Sequence, residues 1–168
     1  MHSLYYQAYT SPLKPSGYII GYTLPLIPMA VLQTLVTSLS ALIFGLEFSA
    51  NILLASVVSI VPGFLYISVG LLCGTAFSDK MVGVLCGAVL TNLSAWLSNI
   101  WFDISLVGGA FEKIAGFLPF IHCVNALRAV FESDYSQIIP ELLWVAGYAV
   151  VIFACAVLLF NRRMKQDK

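Results

Sequence analysis

The sequence predicts an all-α, polytopic helical membrane protein with four transmembrane helices and an external re-entrant or interfacial helix pair. Of its 168 residues, 60% are hydrophobic and only 10% are charged, and the mean hydropathy is +0.94. A soluble domain carries about 25% charged residues, because a globule needs a polar surface. One uncharged run, from Gly17 to Leu46, is longer than the about 20 helical residues that cross a bilayer.

The first span is predicted at about residues 18–44. Within it, Gln33, Thr37 and Ser40 follow one another at helical spacing and therefore share one face. Polar side chains in lipid can make hydrogen bonds between helices, or they can line a translocation surface. The spacing alone leaves both interpretations open.

Two further spans are predicted at about residues 52–77 and 81–102, and neither contains a charged residue. In the second of these, Asn92 and Asn99 are seven positions apart. On one helix, residues at this spacing share a face, and Trp96 lies on the same face. The two asparagines are therefore further candidates for a polar path.

The pattern changes between residues 103 and 140, where charged residues are scattered through moderately apolar sequence. The only candidate for another span, residues 114–130, contains Arg128, and an arginine at mid-depth costs about 2.5–3.5 kcal/mol even on the most lenient insertion scale. Gly108 and Pro119 are expected to interrupt the helix in this region. This region is therefore predicted to form the external helix pair.

The last span is predicted at residues 141–160, followed by a cytoplasmic basic tail at residues 161–168. With four spans, the N-terminal segment, the loop at residues 78–80 and the tail lie on one side of the membrane. Lysine and arginine favour the cytoplasmic side, which places both termini there. That side carries most of the basic residues, namely Lys14, Lys80, Arg162, Arg163, Lys165 and Lys168.

No catalytic motif is visible. The sequence contains no phosphate-binding loop, no HExxH and no GxSxG. The four cysteines are widely spaced, so neither a disulfide framework nor a zinc site is expected. His122 is predicted to be an interfacial polar residue rather than a catalytic base. We expect no catalytic residue, no metal, no cofactor in this chain and no nucleic-acid partner; the partner the composition predicts is the lipid bilayer.

Two stretches resemble those of ATP-binding-cassette (ABC) exporter permeases of type 2. The sequence TSPLKPSGYIIGY, from Thr10 to Tyr22, is similar to the cytoplasmic coupling segment and the helix that follows it. The sequence FLPFIHCVNALR, from Phe117 to Arg128, is similar to the stretch that precedes the final span. The resemblance extends to about Arg163 and so covers nearly the whole chain.

The resemblance implies a multi-pass efflux subunit of the cell membrane. In this family two permease halves, forming a homodimer or a heterodimer, surround a pathway. Two cytosolic ABC ATPase subunits bind the ATP and drive transport. The substrate is expected to be amphiphilic, such as a drug, a peptide or a lipid.

The resemblance also implies roles for particular residues. The coupling-like segment, residues 1–16 together with the start of the first span, is expected to contact the ATPase through Leu13, Lys14, Pro15, Ser16 and Tyr18. An external gate is expected at Pro119, His122 and Arg128. Independently of the resemblance, the polar spacing described above makes five residues candidates for lining a pathway: Gln33, Thr37, Ser40, Asn92 and Asn99.

The number of predicted spans departs from the family, which has six where this chain has four. The missing pair is expected before Thr10, so the sequence is interpreted as a truncated product, a mis-assigned start or half of a split permease. A different class of function also stays open. Glycine pairs such as Gly70 and Gly74 suit a non-transporting assembly or regulatory membrane protein, or an inactive fragment, equally well.

Overall fold

The computed structural model describes residues 17, 20–21, 23–45 and 49–166. Within these residues every regular element is a helix and no strand is present, which confirms the all-α prediction. In chain order the elements are α1 (Leu26–Ile43), α2 (Ala50–Val58), α3 (Ile60–Ala76), α4 (Asp79–Val84), a π-helical segment π1 (Leu85–Leu90), α5 (Thr91–Trp96), α6 (Ile104–Val107), α7 (Gly109–Phe117), α8 (Pro119–Phe131) and α9 (Tyr135–Gln166).

Three stretches of helix are long and apolar enough to cross a membrane: Leu26–Ile43, Ala50–Ala76 and Tyr135–Arg163. The pair α7–α8 is also apolar and bends by 73° between its two helices. A bent apolar pair of this kind has the geometry of a re-entrant loop or a broken span. The predicted helical membrane protein with an additional helix pair is therefore confirmed.

The helix at the third predicted span is shorter than expected. It covers Lys80–Trp96, contains π1 and ends well before residue 102. Asn99 adopts a left-handed backbone with φ of 61°, and its side-chain oxygen accepts a hydrogen bond of 2.9 Å from the Ile104 backbone N–H. This turn redirects the chain, so the expectation that Asn92 and Asn99 share a helix face is wrong.

The last helix is longer than the predicted span at residues 141–160. It begins at Tyr135 and contains Pro140 in its second turn. Pro140 is the sixth residue of this helix, so its missing N–H removes one intrahelical hydrogen bond, the one that would reach the Ser136 carbonyl. Glu141 consequently lies within the helix rather than at its start.

Close packing of small residues holds α1 against the neighbouring helices. A Cβ atom added to Gly63 would lie 3.4 Å from Cβ of Ala30. One turn further, the Ser59 hydroxyl donates to the Thr34 hydroxyl over 3.1 Å. A Cβ added at Gly70, or at its partner four residues later, meets nothing within 4 Å, so within the described residues this pair makes no close helix contact.

The core lies where α8 packs between α2–α3 and α9. Its buried residues are mostly small, which allows the three backbones to approach closely. One cluster joins Ala55 and Val58 to Ala126, Ala129, Val130 and Ile138. A second joins Leu65, Cys123, Val145 and Ala149. A third, around the bend of the helix pair, contains Leu97, Ile104, Ala115 and Phe120.

The helices α2–α3 and α9 run in the same direction. At one end, the Tyr135 hydroxyl donates to the Asn51 side chain over 3.1 Å. At the other end, the Arg163 guanidinium donates to the Ala76 carbonyl over 2.9 Å, and a cation there also complements the helix dipole of α3. The loop after Ala76 and the C-terminal tail therefore lie at the same end of the bundle.

Candidate functional site

The bend between α7 and α8 exposes backbone carbonyls that need hydrogen-bond donors. Leu118 is extended, with ψ of 151°, and Pro119 begins α8 as a buried residue. Proline has no N–H, and the extended residue breaks the hydrogen-bonding pattern. The last carbonyls of α7 therefore require partners from elsewhere in the protein.

Side chains from α8 and α9 supply those partners. Trp144 Nε1 and the Tyr148 hydroxyl both donate to the Phe117 carbonyl, over 3.2 Å and 2.9 Å. His122 Nε2 lies 2.9 Å from the Gly116 carbonyl oxygen. Because a carbonyl can only accept, Nε2 carries a hydrogen. Two of the three donors lie on α9, so this helix determines the position of the bend.

The other nitrogen of His122 contacts a carboxylate. Its Nδ1 lies against Glu141 Oε2, and both side chains are 19% exposed. Asn125 Nδ2 lies 3.4 Å from the second carboxylate oxygen. Among the residues that the structure describes, no group of three or more histidine, cysteine or acidic residues can hold a metal.

Arg128 connects the far end of α8 to the turn after α5. Its guanidinium donates to the backbone carbonyl of Asn99 over 2.5 Å. Asp103 is the N-cap residue of α6, and its carboxylate accepts from the Ser105 backbone N–H over 3.0 Å. That hydrogen bond, a second one to the Ser105 hydroxyl and the nearby Arg128 charge hold the pKa of Asp103 below its usual value.

The three residues expected at the gate therefore lie on one helix and reach three different neighbours. Pro119 starts α8 at the bend, His122 joins it to α9, and Arg128 joins it to the turn after α5. They do not converge on one point. They fix the position of the helix pair at three places.

The five residues expected to line a pathway do not form one cluster. Gln33, Thr37 and Ser40 are exposed on α1, and the two hydroxyls donate to carbonyls of their own helix over 2.9 Å. Asn92 is exposed on α5 and donates to the Ala88 carbonyl over 2.7 Å. Asn99 lies in the turn beyond that helix. The residues expected to contact the ATPase lie outside the described residues: Leu13, Lys14, Pro15, Ser16 and Tyr18.

A cavity of about 350 Å³ lies beside the bend; we call it the aromatic groove. The Phe117 ring stands edge-on to Trp144 and Tyr148, with ring centres 6.3 Å and 6.1 Å apart. Such edge-to-face contacts are favourable for aromatic pairs. The groove is lined by Phe117, Leu143, Trp144, Gly147, Tyr148 and Val151.

No motif in the sequence marks the α9 part of this site. Glu141, Trp144 and Tyr148 are spaced three and four residues apart and therefore share a helix face. That spacing was a usable signal. It was missed because the last span was predicted to start at residue 141, which made Glu141 a terminal residue.

A family model described as "ABC-2 family transporter protein" matches residues 3–158. The chain belongs to the ABC-2 transporter family. No curated protein and no solved structure matches the sequence. Members of the ABC-2 family are the membrane subunits of ABC transporters, which generally associate with an ABC ATPase in a dimeric arrangement. The resemblance found in the sequence is thereby confirmed, and the chain is a transmembrane permease subunit of this family.

Proposed function

We propose that this ABC-2 permease subunit exports amphiphilic molecules, such as drugs, peptides or lipids, across the cell membrane. A separate cytosolic subunit binds and hydrolyses the ATP. The observation that carries the proposal is the family match over residues 3–158. The lack of a phosphate-binding loop in the sequence agrees with a division of labour between two chains.

Two permease halves, identical or different, pair around the pathway, and both termini of this chain face the cytoplasm. The hydrogen bond from Arg163 to the Ala76 carbonyl supports this topology, since it joins the loop after α3 to the basic tail at one end. Basic residues concentrate in cytoplasmic segments of membrane proteins. Leu13, Lys14, Pro15 and Ser16, with Tyr18, then lie on the side where the ATPase binds.

The helix pair α7–α8 acts as an external gate that moves with α9. Three side chains support this assignment because they join the bend to α9: Glu141 through His122, and Trp144 and Tyr148 through the Phe117 carbonyl. The exposed Arg128 also donates to the Asn99 carbonyl in the turn after α5. Leu97 and Ile104, on either side of that turn, pack against Ala115 and Phe120 of the helix pair. When α9 shifts, the helix pair follows, and its contacts with the turn after α5 change, the Arg128 hydrogen bond among them.

The pathway is lined in part by the exposed polar residues of α1. At membrane depth a polar side chain needs protein or water beside it. The exposure of Gln33, Thr37 and Ser40 on a candidate span supports this role. Asn92 and Asn99 lie apart from that face, on α5 and in the turn beyond it, and are assigned to the external end of the pathway.

ATP-dependent transport into inverted vesicles tests the proposal. Vesicles carrying the complete complex are given a cationic fluorescent dye, a labelled hydrophobic peptide or a labelled phospholipid, each with and without ATP. We expect ATP-dependent movement of at least one probe. We also expect Arg128→Ala to change its rate and Glu132→Ala, at an exposed charge one turn further along, to leave it unchanged.

The opposite result supports a different class of function. If the complex hydrolyses ATP but moves none of the three probes, export of amphiphiles is contradicted. A non-transporting assembly or regulatory protein then becomes the better account.

A further inference from the structure

The aromatic groove offers no donor hydrogen to a ligand. Trp144 Nε1–H and the Tyr148 hydroxyl hydrogen are both used by the Phe117 carbonyl. The remaining lining consists of Leu143, Gly147, Val151 and the Phe117 ring. A ligand with several polar groups would lose its own hydrogen bonds on entering such a site. The lining therefore suits hydrocarbon.

The shape of the groove indicates how such a ligand lies. The groove extends along α9 from Leu143 to Val151, about 12 Å at 1.5 Å per residue. These two residues are 68% and 62% exposed, so the groove opens on the outer, apolar face of a candidate span. Its long axis is parallel to the helix, which is also the average direction of lipid chains around a membrane-spanning helix.

A second protein helix fits the groove poorly. A helix with side chains is about 10–12 Å wide, and close helix contacts in membranes need small residues at four-residue spacing. Here Gly147 is flanked at that spacing by Leu143 and Val151. The notch at Gly147 is one residue wide, which suits a flexible chain of methylene groups.

We propose that the aromatic groove, formed by Phe117 of the bend and the Leu143–Val151 face of α9, binds one acyl chain of a membrane phospholipid. The chain fills the space between the bend and α9 on the lipid side. This assignment does not depend on whether the protein transports a substrate.

Quenching of Trp144 by brominated phospholipid tests the proposal. In the full-length chain, Trp96→Phe and Trp101→Phe, both at exposed positions, leave Trp144 as the only tryptophan. The protein is placed in vesicles whose phospholipid partly carries bromine on the acyl chain, which quenches tryptophan on contact. We expect quenching that saturates at a low fraction of brominated lipid, as an occupied site requires.

Filling the groove should remove that saturating component. A Cβ added at Gly147 meets nothing within 4 Å, so Gly147→Leu can place its side chain in the groove while α9 stays intact. Gly83→Leu is the matched control, because Gly83 is also exposed and has equally free space around it. Gly147→Met provides a second filling variant if the leucine variant fails to fold.

Two outcomes would overturn the proposal. Quenching that rises in proportion to brominated lipid, and that Gly147→Leu leaves unchanged, would mean random lipid contact. Absence of quenching, together with a disulfide between two chains carrying Gly147→Cys, would mean that a second copy covers the groove.

Discussion

At the scale of the residue, the Phe117 carbonyl shows most directly how α9 is joined to the bend between α7 and α8. It accepts from both Trp144 and Tyr148, so either donor alone can still satisfy it. A carbonyl left without any donor in apolar surroundings costs about 1–3 kcal/mol, whereas the loss of one of two donors costs much less. The two α9 side chains should therefore be strongly coupled in their effect on stability.

A double-mutant cycle measures this coupling. We expect Tyr148→Phe to cost less than about 1 kcal/mol, since Trp144 still donates. The double variant, with Trp144→Phe added, should cost more than the sum of the two single variants. The cycle subtracts the packing lost with the indole ring. Unfolding in mixed micelles gives the free energies, and strict additivity would contradict the shared-carbonyl account.

A second prediction concerns the pair formed by His122 and Glu141. Glu141→Gln keeps an oxygen and an amide that can bond the imidazole, so we expect a small loss of stability. Glu141→Leu leaves both His122 Nδ1 and the Asn125 amide without this partner, at a cost of about 1–3 kcal/mol. Thermal unfolding in detergent compares the two, with Glu132→Leu as an exposed control. Equal losses of stability in the glutamine and leucine variants would show that the hydrogen bonds of Glu141 contribute little to stability.

At the scale of the element, apolar runs predicted the helices well and their ends poorly. The uncharged runs located α1 and the Ala50–Ala76 helix, because hydropathy over some 20 residues averages out local detail. The ends depend on single hydrogen bonds. The asparagine turn at Asn99 stopped the third span early, and Pro140 was tolerated inside α9. Neither the Asn99 turn nor Pro140 changes the mean hydropathy of its segment, so the hydropathy pattern does not predict where these helices begin or end.

Packing between α1 and α3 should depend on one glycine. Gly63→Leu places a large side chain where Cβ of Ala30 already lies 3.4 Å away, and overpacking of this kind costs about 1–3 kcal/mol. Gly70→Leu adds the same group to the same helix where nothing lies within 4 Å. We expect the first variant to unfold at a lower temperature than the second. Equal unfolding temperatures would mean that α1 is held in another way.

At the scale of the whole molecule, the arrangement of the third span can be tested with native cysteines. Cys73 on α3 and Cys86 on π1 lie close enough for their thiols to interact. A short thiol-specific crosslinker added to membranes should join these two residues and leave exposed Cys155 with a single attachment. Mass spectrometry of the peptides identifies the products. A crosslink between Cys73 and Cys155 as the main product would contradict the packing of α3 against π1.

The sequence predicted the family and the general architecture, but only part of the site. The motif around Pro119, His122 and Arg128 located the helix pair correctly, because a proline and two polar residues in an apolar stretch are conspicuous. The partners of those residues come from α9 and from the turn after α5, at separations of 19 and 29 residues. Contacts between residues so far apart in the sequence depend on tertiary packing, which the pattern of residue types along the chain does not reveal.

The central claim is that this ABC-2 subunit is driven by a separate ATPase through its N-terminal segment. Capture of the chain from its source membranes through a tagged C-terminal tail, followed by measurement of ATP hydrolysis in the eluate, tests it most directly. We expect a co-purifying subunit with a phosphate-binding loop and measurable hydrolysis, both lost when Leu13→Asp and Lys14→Glu are combined and both kept in Lys113→Glu. Capture without any ATPase, or hydrolysis unchanged by the coupling-segment variant, would contradict the account.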